Sequence, residues 1–324
     1  MTISFISDNT QEFENIFNST SCKKINENFK VLGYFNQSQL TENQIGILNK
    51  TDIIISTWNM VKLSVDDIHK YFPRVKALFY AGGDTSYFNQ PYEKLGIKVF
   101  DAKEVNSSFV SNYIYGLILL QTKSFLNAQK KYKMPLYIFS YKNAHKQVKS
   151  SGGNYRKTIG LIGVGSIGLK VLKKLQDSEF EILIHDPFVD PSNLYGLKYQ
   201  QVTLNQLFVL SDIISNHLPN NGQTQNLIDA NLIYSMKKSV VFINTGRENQ
   251  VDYNSLSKFM KKNKTATAIL DVTKHEPILP WSSLLRRNNV YLTPNIAGAV
   301  YNEKFKIGDS IINKILDFKD GELV

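Results

Sequence analysis

At 324 residues with 42% hydrophobic side chains, the chain is long enough for two cores, since single cores stop growing near ~250–300 residues, and it reads as globular and soluble. Its one cysteine, Cys22, excludes an internal disulfide or a cysteine metal cluster, and no metal is expected. The net charge of +10 comes from scattered lysines with dense groups at 130–133 and 261–264, neither interleaved with aromatics; a solvated face that attracts anionic substrates is expected, not a nucleic-acid surface.

Apolar runs at residues 3–6, 31–35, 52–58, 77–80 and 98–101 alternate with helix-like stretches at 11–17 and 66–72, which predicts a parallel α/β sheet. A long apolar-periodic stretch follows from 107 to about 130, and then a connector at 131–155 containing Lys, Tyr and Gly. The longest unbroken apolar candidate, 113–120, falls short of the ~18 residues that a membrane span needs. The N-terminal residues lack the charged and apolar regions of a secretory signal, so a cytoplasmic location and no membrane partner are expected. A second alternating set begins at Thr158 and continues through 181–186, 212–218, 240–245, 266–272 and 290–293. The last stretch, 302–318, places Phe305, Ile307, Ile311, Ile312 and Ile315 at helical spacing, and is expected to leave the second sheet and pack on the first domain.

Where the second set begins, an apolar run ends in Gly163, Gly165 and Gly168 at GxGxxG spacing. Gly163 allows a tight strand-to-helix turn, Gly165 lets the backbone approach a pyrophosphate, and Gly168 lets helix and strand pack closely. Ser166 and Ile167 fill the loop, and the free N–H groups of the following helix complete an anion site. The next apolar run ends in Asp186, which follows Gly168 by 18 residues, near the roughly 20 expected of a carboxylate that binds the adenosine ribose. A carboxylate there repels a 2′-phosphate, and Pro187, Phe188 and Val189 offer no arginine to receive one, so NAD is expected over NADP.

Further motifs carry a resemblance. The segment 211–219 ends in His217-Leu218-Pro219 and is followed by Gln223-Thr224; Asn244-Thr245-Gly246-Arg247 precedes Val251-Asp252; Asp271-Val272 precedes Glu276-Pro277; and Thr293-Pro294-Asn295-Ile296-Ala297-Gly298 comes last. In this order they resemble the motifs of the D-isomer-specific 2-hydroxyacid dehydrogenase family over nearly the whole chain. The resemblance implies two Rossmann-like or flavodoxin-like parallel-sheet α/β domains with a cleft between them. Residues 1–103 and 296–324 would form the substrate-binding domain, and 104–295 the dinucleotide-binding domain. It implies hydride transfer between NAD and a small anionic 2-keto or 2-hydroxy acid, and a homodimer with a long helix from 107–130 at its interface. His217, Leu218, Pro219, Thr224, Thr245, Gly246, Asp271 and Gly298 would border the cofactor. Arg247 would hold the substrate carboxylate and polarise the carbonyl, a task suited to its planar fork. Glu276 matches the carboxylate that partners the catalytic histidine, Gly82-Gly83-Asp84 a shortened substrate-carboxylate loop, and Asn106-Ser107-Ser108 the interdomain hinge.

The chain departs from the family at its acid/base. Where the family carries histidine after Thr-Pro, this sequence has Asn295. An asparagine amide donates a hydrogen bond to a carbonyl oxygen but transfers no proton at a useful rate, and a positioned acid/base is typically worth about 10²–10⁴-fold. His275, Tyr87, Tyr301 and a water are the substitutes the sequence leaves open. So are two functional readings: a dehydrogenase with an atypical proton donor, and an NAD(H)-binding regulatory or scaffold protein whose catalysis is lost or diverted. A second departure is Glu248, directly after Arg247 where the family usually has glycine, and it is expected to face solvent.

Overall fold

The computed structural model describes residues 1–58, 60–133, 137–151 and 153–321. The chain divides into two compact units, one of residues 1–107 together with those from 299 onward, the other of residues 108–298. The expected crossings were at 103/104 and 295/296.

In the first unit five strands, β1 (Thr2–Ile6), β2 (Lys30–Phe35), β3 (Ile53–Thr57), β4 (Ala77–Ala81) and β5 (Lys98–Asp101), pair in parallel in the order β2-β1-β3-β4-β5. Every residue of β3 and β4 is buried, whereas the edge strands β2 and β5 are largely half-exposed. This fits the apolar character of the central strands, since helices cover both faces of a parallel sheet. The last helix, Glu303–Lys319, belongs to this unit: Phe318 packs edge-on against Phe79 and Phe100. A Cβ at Gly308 would lie 2.2 Å from the carbonyl oxygen of Ile16, so only glycine lets this helix approach the helix Glu12–Ile16. Ser21 then donates to Asp309 at 2.7 Å.

The second unit holds a seven-stranded parallel sheet made of β6 (Thr158–Ile162), β7 (Glu181–His185), β8 (Gln200–Gln201), β9 (Ile213–Asn216), β10 (Val241–Asn244), β11 (Thr267–Leu270) and β12 (Val290–Leu292). The order is β12-β11-β10-β9-β6-β7-β8. From β6 the chain winds outward through β7 to β8, then returns past β6 to build β9 to β12 on the other side. The switch lies between β6 and β9, and ligands of such sheets bind outside the carboxyl ends of the strands at that point.

Two stretches differ from expectation. The long apolar segment is two helices, Lys103–Thr122 and Phe125–Tyr132, broken at Ser124, whose φ of 51° no helix continues. Within the expected connector a further helix spans Tyr137–Ser151, while 134–136 and 152 lie outside the described residues. Among its residues whose side chains are described, Ser140, Ala144 and Gln147 are buried. These three are small or polar, and an apolar count passes over them.

Candidate cofactor and active site

β6 ends at the glycine loop. Gly163 has φ +82°, and a Cβ there would come within 2.9 Å of the carbonyl oxygen of His217, the first residue after β9. At Gly168 a Cβ would lie 2.1 Å from the carbonyl oxygen of Gly163. These two glycines are required by the protein's own packing. Gly165 is different, because a Cβ there would meet nothing within 4 Å. It is also the N-cap of the helix Ser166–Lys174, and glycine has no side chain to place there. Open space beside a helix N-terminus suits a pyrophosphate. At the end of β7, Asp186 accepts from Val164 N at 2.7 Å and from Phe188 N at 2.9 Å, one bond to each carboxylate oxygen. Each oxygen retains acceptor capacity for a ribose hydroxyl. The residues present thus fit a dinucleotide.

The His217-Leu218-Pro219 turn lies across the switch point. The His217 ring is buried, neither ring nitrogen has a hydrogen-bond partner among the described residues, and burial pushes its pKa down to about 3. It is therefore a neutral imidazole at neutral pH. Thr224 donates its hydroxyl to the Pro219 carbonyl at 2.7 Å, which fixes the turn.

Arg247 follows the end of β10 and stands on a network of amides. Asn216 and Asn244 are register partners across β9 and β10. Asn216 Nδ2 donates to Asn244 Oδ1 at 2.9 Å and to Gln250 Oε1 at 2.8 Å. Gln250 Nε2 reaches the Pro219 carbonyl at 2.8 Å, and Gln250 Oε1 accepts from Arg247 N at 3.1 Å. Asn244 Nδ2 donates to the Tyr253 hydroxyl, which donates to the Val272 carbonyl. A Cβ at Gly246 would lie 2.6 Å from Gln250 Oε1 and 2.8 Å from Asn216 Nδ2, so glycine here makes room for the network. Buried amides held this fully couple the His217 turn to the backbone of Arg247. The Arg247 guanidinium is half-buried and donates to the Gly246 carbonyl at 3.0 Å. Glu248 is exposed, and the Thr245 hydroxyl is buried with no partner among the described residues. Motif reading quoted Asn244 without a role and passed over Asn216, Gln250 and Tyr253; the available signal was an asparagine closing each of two neighbouring strands.

Asp271 is 2% exposed. It accepts from Thr293 Oγ1 at 2.6 Å, Ile296 N at 2.9 Å and Ala297 N at 2.9 Å, and its own carbonyl accepts from Asn295 N at 3.0 Å. The carboxylate that the resemblance places beside the cofactor thus also grips the segment 293–297, which leads to Gly298. Asn295, with φ 54°, projects from this segment and donates through Nδ2 to Glu276 Oε2 at 3.4 Å. Both side chains belong to exposed residues. His275 is exposed as well, and His185 is bonded to the Val202 carbonyl.

In the first unit, Gly82 lies against the Tyr80 ring, where a Cβ would meet ring carbon at 2.4 Å, and Gly83 faces Asn106. Asp84 caps its own turn, accepting from Ser86 N at 3.1 Å and Ser86 Oγ at 2.6 Å. Asn106 accepts from Ala299 N at 3.0 Å, and the crossing into the second unit comes just after, between Ser107 and Ser108.

Residues 116–297 match the family described as D-isomer specific 2-hydroxyacid dehydrogenase, NAD binding domain. The chain belongs to the D-isomer specific 2-hydroxyacid dehydrogenases. Among curated members, it is 33% identical over 165 residues to the D-3-phosphoglycerate dehydrogenase of Archaeoglobus fulgidus, which covers 51% of this chain and 31% of that one. It is 30% identical over 233 residues to a glyoxylate reductase of Thermofilum pendens, covering 71% and 67%. An acyclic imino acid reductase solved with NADPH and D-Arg superposes with a TM-score of 0.77 at 25% identity, covering 99% and 98%. The second unit is accordingly the family's NAD-binding domain, and its open glycine loop and Asp186 fit that cofactor.

Proposed function

We propose that the chain is an NAD-dependent oxidoreductase acting on a small 2-keto or 2-hydroxy acid. The observation that carries this reading is Arg247, a guanidinium at a strand end of the NAD-binding sheet whose backbone is fixed by Gln250. The chemistry supplied by bound NAD is hydride transfer. Arg247 holds the substrate carboxylate and polarises the carbonyl; Glu276 orients the Asn295 amide, which donates to the carbonyl oxygen. The proton that completes the alcohol comes from another group. The Gly82–Gly83 turn is proposed as a further anion-binding element. A panel of 2-keto acids with NADH, followed by loss of absorbance, tests the reading.

Asn295 favours a second reading, in which catalysis is lost or diverted. The imino acid reductase relative suggests the diverted form, since a protonated imine accepts hydride and yields the amine with no proton from the protein. Turnover of a 2-keto acid only when a primary amine is added would support it; tight NADH binding with no turnover in either case would support a regulatory role. We also propose a homodimer, supported by Leu120 and Phe125, which are 45% and 47% exposed on the two helices of 103–132. Light scattering in solution tests it. A cytoplasmic location is proposed with it; among the described residues no helix is long and apolar enough to cross a membrane.

A further inference from the structure

The first unit contains a cavity of about 700 Å³ whose lining residues all belong to that unit. Four aromatic rings contribute to its wall: Phe13, Phe17, Tyr34 and Phe305. Phe13 and Phe17 are 2% and 4% exposed and lie 6.3 Å apart between ring centroids, so they form a fixed apolar surface. Tyr34 is 51% exposed. Its ring stacks on Phe5 at 4.5 Å and meets Phe13 at 5.8 Å in a tilted arrangement, and its exposed part lines the cavity. An aromatic face carries negative quadrupolar potential and attracts cations.

The charge of the wall points the same way. The chain holds 38 lysines and arginines, yet none lines this cavity. The single charged side chain among the lining residues is Glu14. It has no ion pair among the described residues, while the next acidic residue on its helix, Glu12, is paired with Lys304. Glu14 lies close enough to Tyr34 to contribute, after burial and Cys22, to raising that phenol's pKa. An unpaired carboxylate beside an exposed aromatic ring repels anions and gains no charge pairing from a neutral ligand. An organic cation satisfies both.

We propose that this cavity binds a small organic cation with an apolar body, an alkyl- or quaternary ammonium. Its charge lies between the exposed part of the Tyr34 ring and Glu14, and its apolar part lies on Phe13, Phe17 and Phe305. The site belongs to the first unit alone and takes no part in holding NAD, so the proposal does not depend on the reaction assigned above.

Cys22 also lines the cavity and is the chain's one thiol, half-buried, with Sγ 3.6 Å from the Phe17 carbonyl oxygen. Its alkylation rate therefore reads occupancy. The full chain is treated with iodoacetamide at constant ionic strength in the presence of benzyltrimethylammonium, benzyl alcohol or phenylacetate. The cation is expected to slow alkylation about fivefold or more, and the neutral and anionic probes less than about twofold. Glu14→Gln and Tyr34→Leu, checked for unchanged thermal unfolding, are each expected to abolish the protection. Should Tyr34→Leu fail to fold, Glu14→Gln carries the test alone. Equal protection by all three probes, protection by none, or protection that survives Glu14→Gln overturns the proposal.

Discussion

The Asn295 amide faces the Glu276 carboxylate, Nδ2 to Oε2 at 3.4 Å, from a backbone held at φ 54° by the grip of Asp271 on the flanking residues. An imidazole placed at 295 would meet the same carboxylate, and histidine, like asparagine, tolerates left-handed backbone. Asn295→His is therefore expected to fold normally. If a 2-keto acid is the substrate, the variant should raise kcat by about 10²–10⁴-fold, the worth of a positioned acid/base. Steady-state rates of NADH oxidation check this; an unchanged kcat would show that proton supply does not limit the wild type.

The packing and phosphate-approach roles in the glycine loop separate by substitution. Gly168→Ala places a methyl 2.1 Å from a backbone oxygen and should lower both the thermal midpoint and NADH affinity. Gly165→Ala meets no protein atom within 4 Å and should leave the midpoint within about 1–2 °C while weakening NADH by about tenfold or more. Fluorescence titration with a parallel melt distinguishes them. Full NADH affinity in Gly165→Ala would remove the loop from the cofactor site.

Gln250→Leu deletes the acceptor for Arg247 N and the donor to the Pro219 carbonyl, and strands Asn216 Nδ2 with one partner fewer. A destabilisation of about 2–3 kcal/mol is expected from buried groups left unpaired, measured by urea unfolding. In an active protein the KM for substrate should rise more than the Kd for NADH, because Arg247 loses its fixed backbone.

Burial of His217 sets a pH dependence. Its folded pKa is about 3, against about 6.5 for an unfolded imidazole. Between these values the unfolded chain binds the extra proton, so stability is full above pH 6.5 and falls as the pH drops through the window, by up to about 1.4 kcal/mol per unit. From pH 7 to 5 ordinary carboxylates stay ionised in both states, which isolates the histidine. Urea midpoints should fall over that interval in the wild type, and His217→Gln should flatten the slope.

Much of this site can be read from residues in sequence because its parts are local. The glycine loop, Asp186, Arg247 and the Asn295 segment each sit within a few residues of a strand end, where alternation of apolar runs already locates them. What escapes is long-range. Asn216 and Asn244 become a network only when β9 and β10 pair, and the grip of Asp271 on Ile296 and Ala297 spans β12. The helix Tyr137–Ser151 escapes for a different reason, since three residues it buries, Ser140, Ala144 and Gln147, carry little hydrophobic signal.

The central claim joins NAD at the glycine loop to reduction of a carboxylate-bearing substrate held by Arg247. The most direct measurement follows NADH oxidation across a 2-keto acid panel, with and without a primary amine, for wild type and Arg247→Ala. NADH affinity is measured alongside. The account predicts turnover by the wild type and a loss of about 10³-fold or more in kcat/KM for Arg247→Ala, with NADH affinity unchanged. Turnover that survives Arg247→Ala, or tight NADH binding with no oxidation by any substrate in the panel, would contradict it.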